Sequence, residues 1–415
     1  MKTAAKDRAH AKPPSPPRID PLCASAPLRE KNSGWQTKKL GEVCAFDKDQ
    51  GIHKGLPYVG LEHIESHTAR FTGALEPQVV KSATFRFSTE HVLYGRLRPY
   101  LNKALAPDFE GHCSTEIFPL KPAPNLSREY LLYWLLAGET MERINATCSG
   151  ARMPRADMNE VLDFDFPLPP LPEQQRIVGI LDEAFDGIAT AKTSAEKNLQ
   201  NARALFESHL HAVFTHRGPG WVGKTLDEIS LEFGRGKSKH RPRNDPKLYG
   251  GKYPFIQTGD VRNSSHVIES YSQTYSELGL AQSKLWPAGT LCLTIAANIA
   301  ETGILGFDAC FPDSVIGVVV DEKQTSTKFL EYLLQSFKTR LQALGKGSAQ
   351  ANINLGTFED QRFPFPSLAE QKRITAKLDA LQTETRRLEA LYARKLAALD
   401  ELKTSLLHQA FSGQL

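Results

Sequence analysis

Phe166-Pro-Leu-Pro-Pro-Leu-Pro-Glu-Gln-Gln-Arg-Ile177 recurs 197 residues later as Phe363-Pro-Phe-Pro-Ser-Leu-Ala-Glu-Gln-Lys-Arg-Ile374, and this repeat governs the architecture of the chain. Each copy is a proline-rich, extended lead-in that runs directly into a long helical pattern. The match continues past the motif, where Leu181-Asp182 is repeated as Leu378-Asp379. Because the period has the length of a domain, it predicts a tandem duplication rather than a solenoid.

Two long helices are predicted after the motifs, over 170–215 and 367–412. At about 1.5 Å per residue each would be roughly 70 Å long. Spacings of four and three alternate along both, which is typical of a coiled-coil seam. The first seam is mostly small and the second mostly bulky: Ile177, Leu181, Ala184, Ile188, Ala191, Ala195, Asn198, Ala202, Leu205 and His209 against Ile374, Leu378, Leu381, Thr385, Leu388, Tyr392, Lys395, Leu399, Leu402 and Leu406.

A small face and a bulky face can pack closely, so the two seams predict an antiparallel pair of helices inside one chain. Such a pair would relate the duplicated halves by a pseudo-two-fold axis and place their globular parts at opposite ends of a rod. The alternative is that each helix packs separately on its own domain.

Two compact α+β domains are predicted from short apolar runs punctuated by Gly and Pro. Residues 91–94, 291–295 and 315–320 are predicted strands, and one or two helices are predicted at 128–145 and at 326–343. The predicted organisation is a tail over 1–34, a first domain over 35–169, a first long helix over 170–215, a second domain over 216–366 and a second long helix over 367–415.

The composition predicts a reduced, cytosolic chain. Six cysteines form no Cys-x-x-Cys pair, and no apolar run reaches the length that a bilayer helix needs. The net charge of +4 lies entirely in residues 1–34, where seven Lys/Arg meet three Asp/Glu. This proline-rich tail is predicted to be disordered, with a contact to DNA backbone as the alternative. The overall charge therefore gives no evidence for a nucleic-acid partner. Such evidence can come only from local clusters of basic residues.

Catalytic and cofactor motifs are not supported by their context. Gly218-Pro-Gly-Trp-Val-Gly223 spells a dinucleotide fingerprint, but it follows a helix and precedes a strand, the reverse of the required order. Gly236-Lys-Ser238 lacks the earlier glycine of a phosphate loop. His209, His211 and His216 have no acidic or thiol ligand nearby, and a packing role is favoured for His209. We therefore predict a non-catalytic chain without metal or cofactor.

Polar and basic loops are the chemistry that the sequence does offer. Arg pairs with guanine and Asn or Gln with adenine, each through two hydrogen bonds, while cationic loops suit phosphates. Loops at matching positions of the two halves carry unlike side chains, as reading two different short sequences requires. The candidate DNA-binding residues are Arg96, Arg98, Asn102, Lys103, Ser149, Arg152 and Arg155 in the first half, and Arg235, Lys237, Lys239, Arg241, Arg243, Asn298, Gln350 and Asn352 in the second.

With its doubled lead-in and two-domain layout, the chain resembles the specificity subunit of type I restriction-modification systems over residues 35–415. The resemblance implies two target-recognition domains that each read one half of a bipartite site on double-stranded DNA, at a spacing set by the antiparallel helices. It also implies two modification subunits, which methylate adenine using S-adenosylmethionine, and ATP-dependent restriction subunits. The chain would then recognise the DNA sequence and act as the scaffold of a larger enzyme.

Two other functions stay open at this point. One is a coiled-coil assembly or interaction protein that reads no DNA sequence. The other is a standalone nuclease or methyltransferase, which the missing motifs disfavour. Replacing the basic loop residues would separate the first alternative from a DNA reader, because only a reader would lose activity.

Overall fold

The computed structural model describes residues 34–150, 152–239, 242, 244–346 and 355–415. The chain forms two compact units, the first from Met1–Ala191 with Ala398–Leu415 and the second from Lys192–Ala397. Both long helices cross this division, and the first unit is assembled from two chain segments that are far apart in sequence.

The first unit is mixed α+β. Its elements are β1 (Gln36–Lys39), α1 (Leu40–Val43), β2 (Cys44–Phe46), β3 (Gln50–Gly51), β4 (Tyr58–Val59), β5 (Thr84–Phe87), β6 (Val92–Gly95), β7 (Ala104–Leu105), β8 (Gly111–Cys113), β9 (Ile117–Pro122), α2 (Arg128–Leu136), α3 (Gly138–Ala146), α4 (Met158–Leu162) and β10 (Asp165–Leu168), followed by α5 (Leu171–Thr215). Two four-stranded sheets have the orders β2-β9-β6-β7 and β3-β5-β8-β4, and β1 pairs antiparallel with β10.

The core of the first unit lies between these sheets, α2 and the long helices. Every residue of β6 is buried, as expected of a strand with both faces covered. Tyr130 on α2 packs edge-on against Phe166, from the lead-in motif, and against Phe411 near the end of the chain. The proline-rich lead-in is therefore part of the core, and so is the C-terminal segment.

The second unit repeats this plan. Its elements are β11 (Val222–Lys224), β12 (Ser230–Arg235), β13 (Tyr249–Phe255), α6 (Thr258–Asn263), β14 (Val267–Ile268), β15 (Gln273–Tyr275), α7 (Glu277–Ala281), β16 (Leu291–Thr294), β17 (Thr302–Leu305), β18 (Val315–Val320), α8 (Thr327–Ser336), α9 (Lys338–Lys346), α10 (Gly356–Glu359), β19 (Phe363–Phe365) and α11 (Leu368–Ser412). A five-stranded sheet has the order β12-β18-β16-β17-β14, and β11 pairs with β19 as β1 pairs with β10.

The predicted α+β class and the three predicted strands are confirmed, and two helices lie in each region where one or two were predicted. In the first unit the chain breaks at Ala137, which is extended with ψ 137°. In the second unit the break falls at Phe337, between α8 and α9. Apolar residues continue across both breaks, so periodicity alone could not reveal them.

The repeated Glu-Gln of the motif joins each long helix to its lead-in. The buried Gln174 donates to the carbonyl oxygens of Pro169 at 2.8 Å and Asn125 at 3.0 Å. Gln371 donates to the equivalent carbonyls of Pro366 and Gln324, both at 3.0 Å. The motif is thus a structural clamp, because these carbonyls would otherwise be buried without partners.

The predicted antiparallel pairing of the long helices is confirmed within each unit. In the first unit, Arg176 Nη2 donates to the backbone oxygen of Leu415 at 2.9 Å, so the start of α5 meets the end of α11. In the second unit, Arg203 Nε lies 3.4 Å from the Glu389 carboxylate. The small seam is buried at seven-residue intervals, at Leu181, Ile188, Ala195 and Ala202.

The seam prediction is wrong toward the end of α5 and in part of α11. His209 is exposed, and its neighbour Leu210 is buried instead. An α-helix has 3.6 residues per turn, so its buried face drifts from a strict seven-residue repeat unless the helix supercoils throughout. Four further seam positions are exposed as well: Asn198, Leu205, Lys395 and Leu402.

Candidate nucleic-acid interface

In the first unit, the loop after β6 is held in an unusual backbone conformation. Arg98 and Asn102 have positive φ angles, +52° and +42°, on either side of a 3-10 turn at Pro99–Leu101. The Gly95 N–H donates to the Lys103 oxygen at 2.9 Å and closes the base of the loop. Left-handed backbone is costly for residues with a side chain, so the surrounding contacts must impose this shape.

A second loop, residues 149–155, pairs with the first. The backbone groups of Ser149 and Arg155 exchange two hydrogen bonds, both 3.1 Å. The Arg98 N–H donates to the Pro154 oxygen at 2.8 Å, and the Ala156 N–H donates to the Arg96 oxygen at 2.9 Å. Two loops that sequence analysis could only name separately therefore form one surface, with Arg152 exposed beside them.

Arg96 and Arg155 meet on one carboxylate. Arg96 Nε donates to Glu116 Oε2 at 3.1 Å. Arg155 donates to Glu116 Oε1 from Nε at 2.9 Å and from Nη2 at 2.8 Å. Burial alone would raise the pKa of Glu116, but the hydrogen bonds and charges of the two arginines outweigh it and hold this pKa below its ordinary value.

Arg96 and Arg155 border a cavity of about 580 Å³. Arg96 lies over the Phe118 ring at 5.3 Å, and Lys48 lies over the Phe46 ring at 5.4 Å, so both cations are backed by aromatic faces. Other lining residues are Leu120, Ser149, Arg155, Ala156, Asp157, Met158, Asn159 and Leu162. A concave site with aromatic walls and several hydrogen-bond donors can accept the edge of a planar polar group.

Two predicted site residues have structural partners instead. The Asn102 side chain is 1% exposed, and its Nδ2 donates to the Leu136 carbonyl at the end of α2 at 3.1 Å. Lys103 is half-buried, and its Nζ donates to the Leu61 carbonyl at 2.6 Å. Both residues hold the loop in place, and we leave them out of the proposed contact surface.

In the second unit, a basic loop continues from the end of β12. Arg235 Nε donates to the Asp313 carbonyl at 2.7 Å, while Lys237 and Lys239 are exposed. Gly236 is buried against the turn before β18, where an added Cβ would lie 2.2 Å from the Phe311 oxygen. Glycine is required there by this close approach. Arg241 and Arg243 lie outside the described residues.

The loop after β16 is anchored like its counterpart after β6 but is one residue shorter, since the Thr294 N–H donates to the Glu301 oxygen at 2.9 Å. Its positive-φ residues are Ala297 and Ala300, both +62°. The Ile295 N–H donates to the Ser314 oxygen at 3.0 Å, as the Arg96 N–H donates to the Glu116 oxygen at 2.9 Å. These equivalent positions are thus occupied by Arg96 and Glu116 in the first unit but by Ile295 and Ser314 in the second.

Asn298 is the predicted site residue on this second loop. It is half-buried, and its Oδ1 accepts a hydrogen bond from Arg262 Nη1 at 3.3 Å. Arg262 extends from α6 and is exposed. Gln350 and Asn352, the candidates on the counterpart of loop 149–155, lie outside the described residues.

Sequence reasoning missed Glu116, Lys48 and Arg262. None of the three lies in a cluster of basic residues, and Lys48 stands between Asp47 and Asp49. Glu116 precedes β9 by one residue, a position that carries no signal until the fold brings Arg96 and Arg155 to it. Pairing between distant loops is what defines this site.

Metal binding and membrane insertion find no support in the part of the chain that the structure describes. No group of three His, Cys, Asp or Glu side chains there could hold a metal ion. No helix in the same residues is long and apolar enough to cross a bilayer.

Comparison with known proteins places this architecture in a family. The family model for the type I restriction modification DNA specificity domain matches twice, over residues 32–199 and 220–394. The chain therefore belongs to the type I restriction-modification DNA specificity domain family. The two matches fall on the two halves of the duplication, and each contains one set of the loops described above.

Relatives and solved structures agree with this assignment. The type I restriction enzyme EcoDI specificity subunit of Escherichia coli is 27% identical over 54% of this chain, and the match spans 51% of that relative. A putative MjaX specificity subunit of Methanocaldococcus jannaschii is 21% identical over 79% of this chain and 76% of its own length. The chain therefore spans about half the length of the first relative and about three quarters of the second.

Two solved structures share the fold. A chain from a study of complex assembly and conformational transition in the type I R-M system superposes with a TM-score of 0.79, at 21% identity, covering 93% of this chain and all of that one. The HsdS subunit from Thermoanaerobacter tengcongensis gives a TM-score of 0.65 at 22% identity, covering 94% of this chain and 99% of that one.

Proposed function

We propose that this chain is the DNA sequence-specificity subunit of a type I restriction-modification complex. Each unit reads one half of a bipartite duplex site, and the chain itself is not an enzyme. The chain binds two modification subunits, which methylate the DNA, and ATP-dependent restriction subunits, which cleave it. The long helices provide the scaffold between the two reading units.

One observation carries this proposal: the loops after β6 and β16 share the hydrogen bonds that anchor them, and so a common backbone frame, but carry unlike side chains. A common frame preserves how a loop approaches DNA, and changed side chains alter which base edges it can pair with. The proposed contacts are Arg96, Arg98, Ser149, Arg152 and Arg155 in the first unit, and Arg235, Lys237, Lys239 and Asn298 in the second. Arg241, Arg243, Gln350 and Asn352 remain predictions for the second unit.

Methylation mapping tests the proposal directly. The chain is co-expressed with its methyltransferase subunit in a host without type I modification, and N6-methyladenine is mapped across the genome. We expect one motif made of two short defined sequences around an unspecified spacer. Expression of the methyltransferase subunit alone is the control. A motif without a spacer, or none beyond the control, would contradict the proposal.

A second experiment separates this function from that of an assembly protein that reads no DNA. Arg98, Arg152, Lys237 and Lys239 are exposed, so replacing all four with Ala should leave the fold intact. A specificity subunit would still bind its methyltransferase partner but lose methylation at the bipartite site. Unchanged methylation would favour the assembly role.

A further inference from the structure

Arg96 and Arg155 contact the same carboxylate in different ways. An arginine carries five N–H donors on three nitrogens. Arg155 commits Nε and Nη2 to Glu116, and its Nη1 donates to the Met153 carbonyl at 3.3 Å. Among the described residues, Arg96 commits only Nε to protein. The Nη1 and Nη2 edge of Arg96 is therefore the one that can still make a bidentate contact.

Glu116 fixes the plane of that guanidinium. Its carboxylate is anchored by Arg155, and its backbone oxygen accepts from the Arg96 N–H at 2.9 Å. The Glu116 N–H in turn donates to Ser114 Oγ at 3.2 Å. On its other side, Arg96 faces the Phe118 ring. A planar donor fork held in one orientation before binding loses less entropy when it binds.

The charge around Arg96 favours a base over a phosphate. The Glu116 carboxylate lies directly beside the guanidinium and would repel phosphate oxygens, but a guanine edge offers neutral O6 and N7 acceptors. Arg98 and Arg152 are exposed and have no acidic partner among the described residues. Those two arginines are better suited to backbone phosphates.

We propose that Arg96 reads a guanine through O6 and N7 in one half of the site, with Glu116 and Arg155 as the positioning residues that orient it. The proposal rests on the proposed function and goes further, because it names one base type and assigns separate roles to two arginines that look alike in sequence. It is confined to the first unit, since the equivalent positions in the second unit are Ile295 and Ser314.

The test uses the complete complex of this chain with its methyltransferase subunits and a duplex carrying the mapped site. Each guanine is replaced in turn by 7-deazaguanine, which lacks the N7 acceptor. We expect one position, in one half only, to weaken binding roughly 5- to 150-fold, the range of a bidentate base contact. Arg96→Ala should show a similar loss on the native site and no further loss on that modified duplex.

The positioning residues have their own expected pattern. Glu116→Gln and Arg155→Ala should reduce discrimination at that same guanine while leaving the discrimination among bases in the other half-site unchanged. Arg96→Lys keeps the charge but cannot form the bidentate contact, so it should also lose discrimination at the same guanine. Because this substitution is more conservative than Arg96→Ala, it controls for misfolding of the Ala variant. Arg152→Ala is the control, expected to weaken all sequences alike and to lower the salt dependence.

Several results would overturn the inference without touching the proposed function. A wild-type motif with no guanine in either half would do so, as would uniform loss of affinity in Arg96→Ala with a reduced salt slope, which indicates a phosphate contact. Unaltered discrimination in Arg96→Ala would also overturn it. If the wild-type complex directs no bipartite methylation, it is the proposed function that fails.

Discussion

Gln174 accepts a hydrogen bond from the backbone nitrogen of Ser127, at 2.7 Å, and so ties the first turn of a long helix to the N-cap residue of α2. Gln371 makes the matching contact in the second unit, where its Oε1 accepts from Thr325 Oγ1 at 2.8 Å. The motif that is repeated in the sequence therefore has the same structural role in both halves: its glutamine fastens the long helix to the domain.

Removing either glutamine should destabilise its own unit. Gln174→Ala leaves buried carbonyls without a donor, and we expect it to lower the free energy of unfolding by about 1–3 kcal/mol. Gln371→Ala should do the same in the second unit. Urea unfolding measures the loss, with exposed Gln175→Ala and Lys372→Ala as controls. Equal stabilities of Gln174→Ala and Gln175→Ala would contradict the clamp.

A buried ion pair should make the stability of the second unit depend on pH. His266 Nδ1 lies 2.6 Å from Glu331 Oε2, and His266 Nε2 contacts the Gln382 side-chain oxygen. Burial lowers the pKa of His266, but Glu331 and Gln382 outweigh it, and the net pKa is raised although the Arg386 charge opposes this. Burial also raises the pKa of Glu331, against the charges of His266, Lys328 and Arg386.

These raised pKa values make the stability of the second unit fall as the pH rises. A histidine with a raised folded pKa stabilises fully below its unfolded value of about 6.5, and that stabilisation is lost as the pH rises through the folded value. The raised pKa of Glu331 acts in the same direction, from a lower pH onward. We therefore expect His266→Gln to lower the unfolding temperature most near pH 6 and less near pH 8. Exposed His209→Gln is the control, and a difference that is constant or grows with pH would contradict the prediction.

The small seam of α5 should reject larger side chains. Ala195 and Ala202 are 1% and 5% exposed, so leucine at either position must displace packed neighbours. We expect Ala195→Leu or Ala202→Leu to cost about 1–3 kcal/mol in urea unfolding. Exposed Ala204→Leu lies on the same helix and should be close to neutral, because alanine and leucine have similar helix propensities. A neutral Ala202→Leu would show that the seam is loosely packed.

Gly236 should be essential for the basic loop, and Gly234 should not. A Cβ at position 236 meets backbone oxygens of Phe311 and Pro312. Apart from its immediate chain neighbours, no described residue has an atom within 4 Å of a Cβ at Gly234. Gly236→Ala must therefore shift the loop that carries Arg235. We expect it to weaken binding to the second half-site at least several-fold and to spare the first. DNA binding with each half-site scrambled in turn measures this, and equal behaviour of the two variants would contradict it.

The sequence predicted those features that repeat or have a period. The duplicated motif and the alternating spacings were enough for the two long helices, their antiparallel pairing and the α+β class. Whether one or two helices lie at 128–145 and at 326–343 stayed open, because apolar residues run through the breaks at Ala137 and Phe337. The exposure of His209 was missed because a strict seven-residue repeat does not account for the gradual rotation of an α-helix.

The candidate site was only partly predictable, for a different reason. The sequence located the basic loops, but it could not distinguish Asn102, which is buried under the end of α2, from Arg98, which is exposed four residues earlier. Likewise, the sequence around Glu116 does not indicate that Arg96 and Arg155, 20 and 39 residues away, both bind its carboxylate. Such roles depend on contacts between loops that are distant in the chain.

The last segment of the chain, Ala398–Leu415, belongs to the first unit, and Leu407 and Ala410 are buried in its core. A nascent chain still on the ribosome therefore lacks part of the interior of its own first domain. Domains commonly fold in the order in which they are synthesised. Here Ala398–Leu415 must be synthesised before the first unit can close, so a stop codon within this segment would damage the half of the protein that was made first.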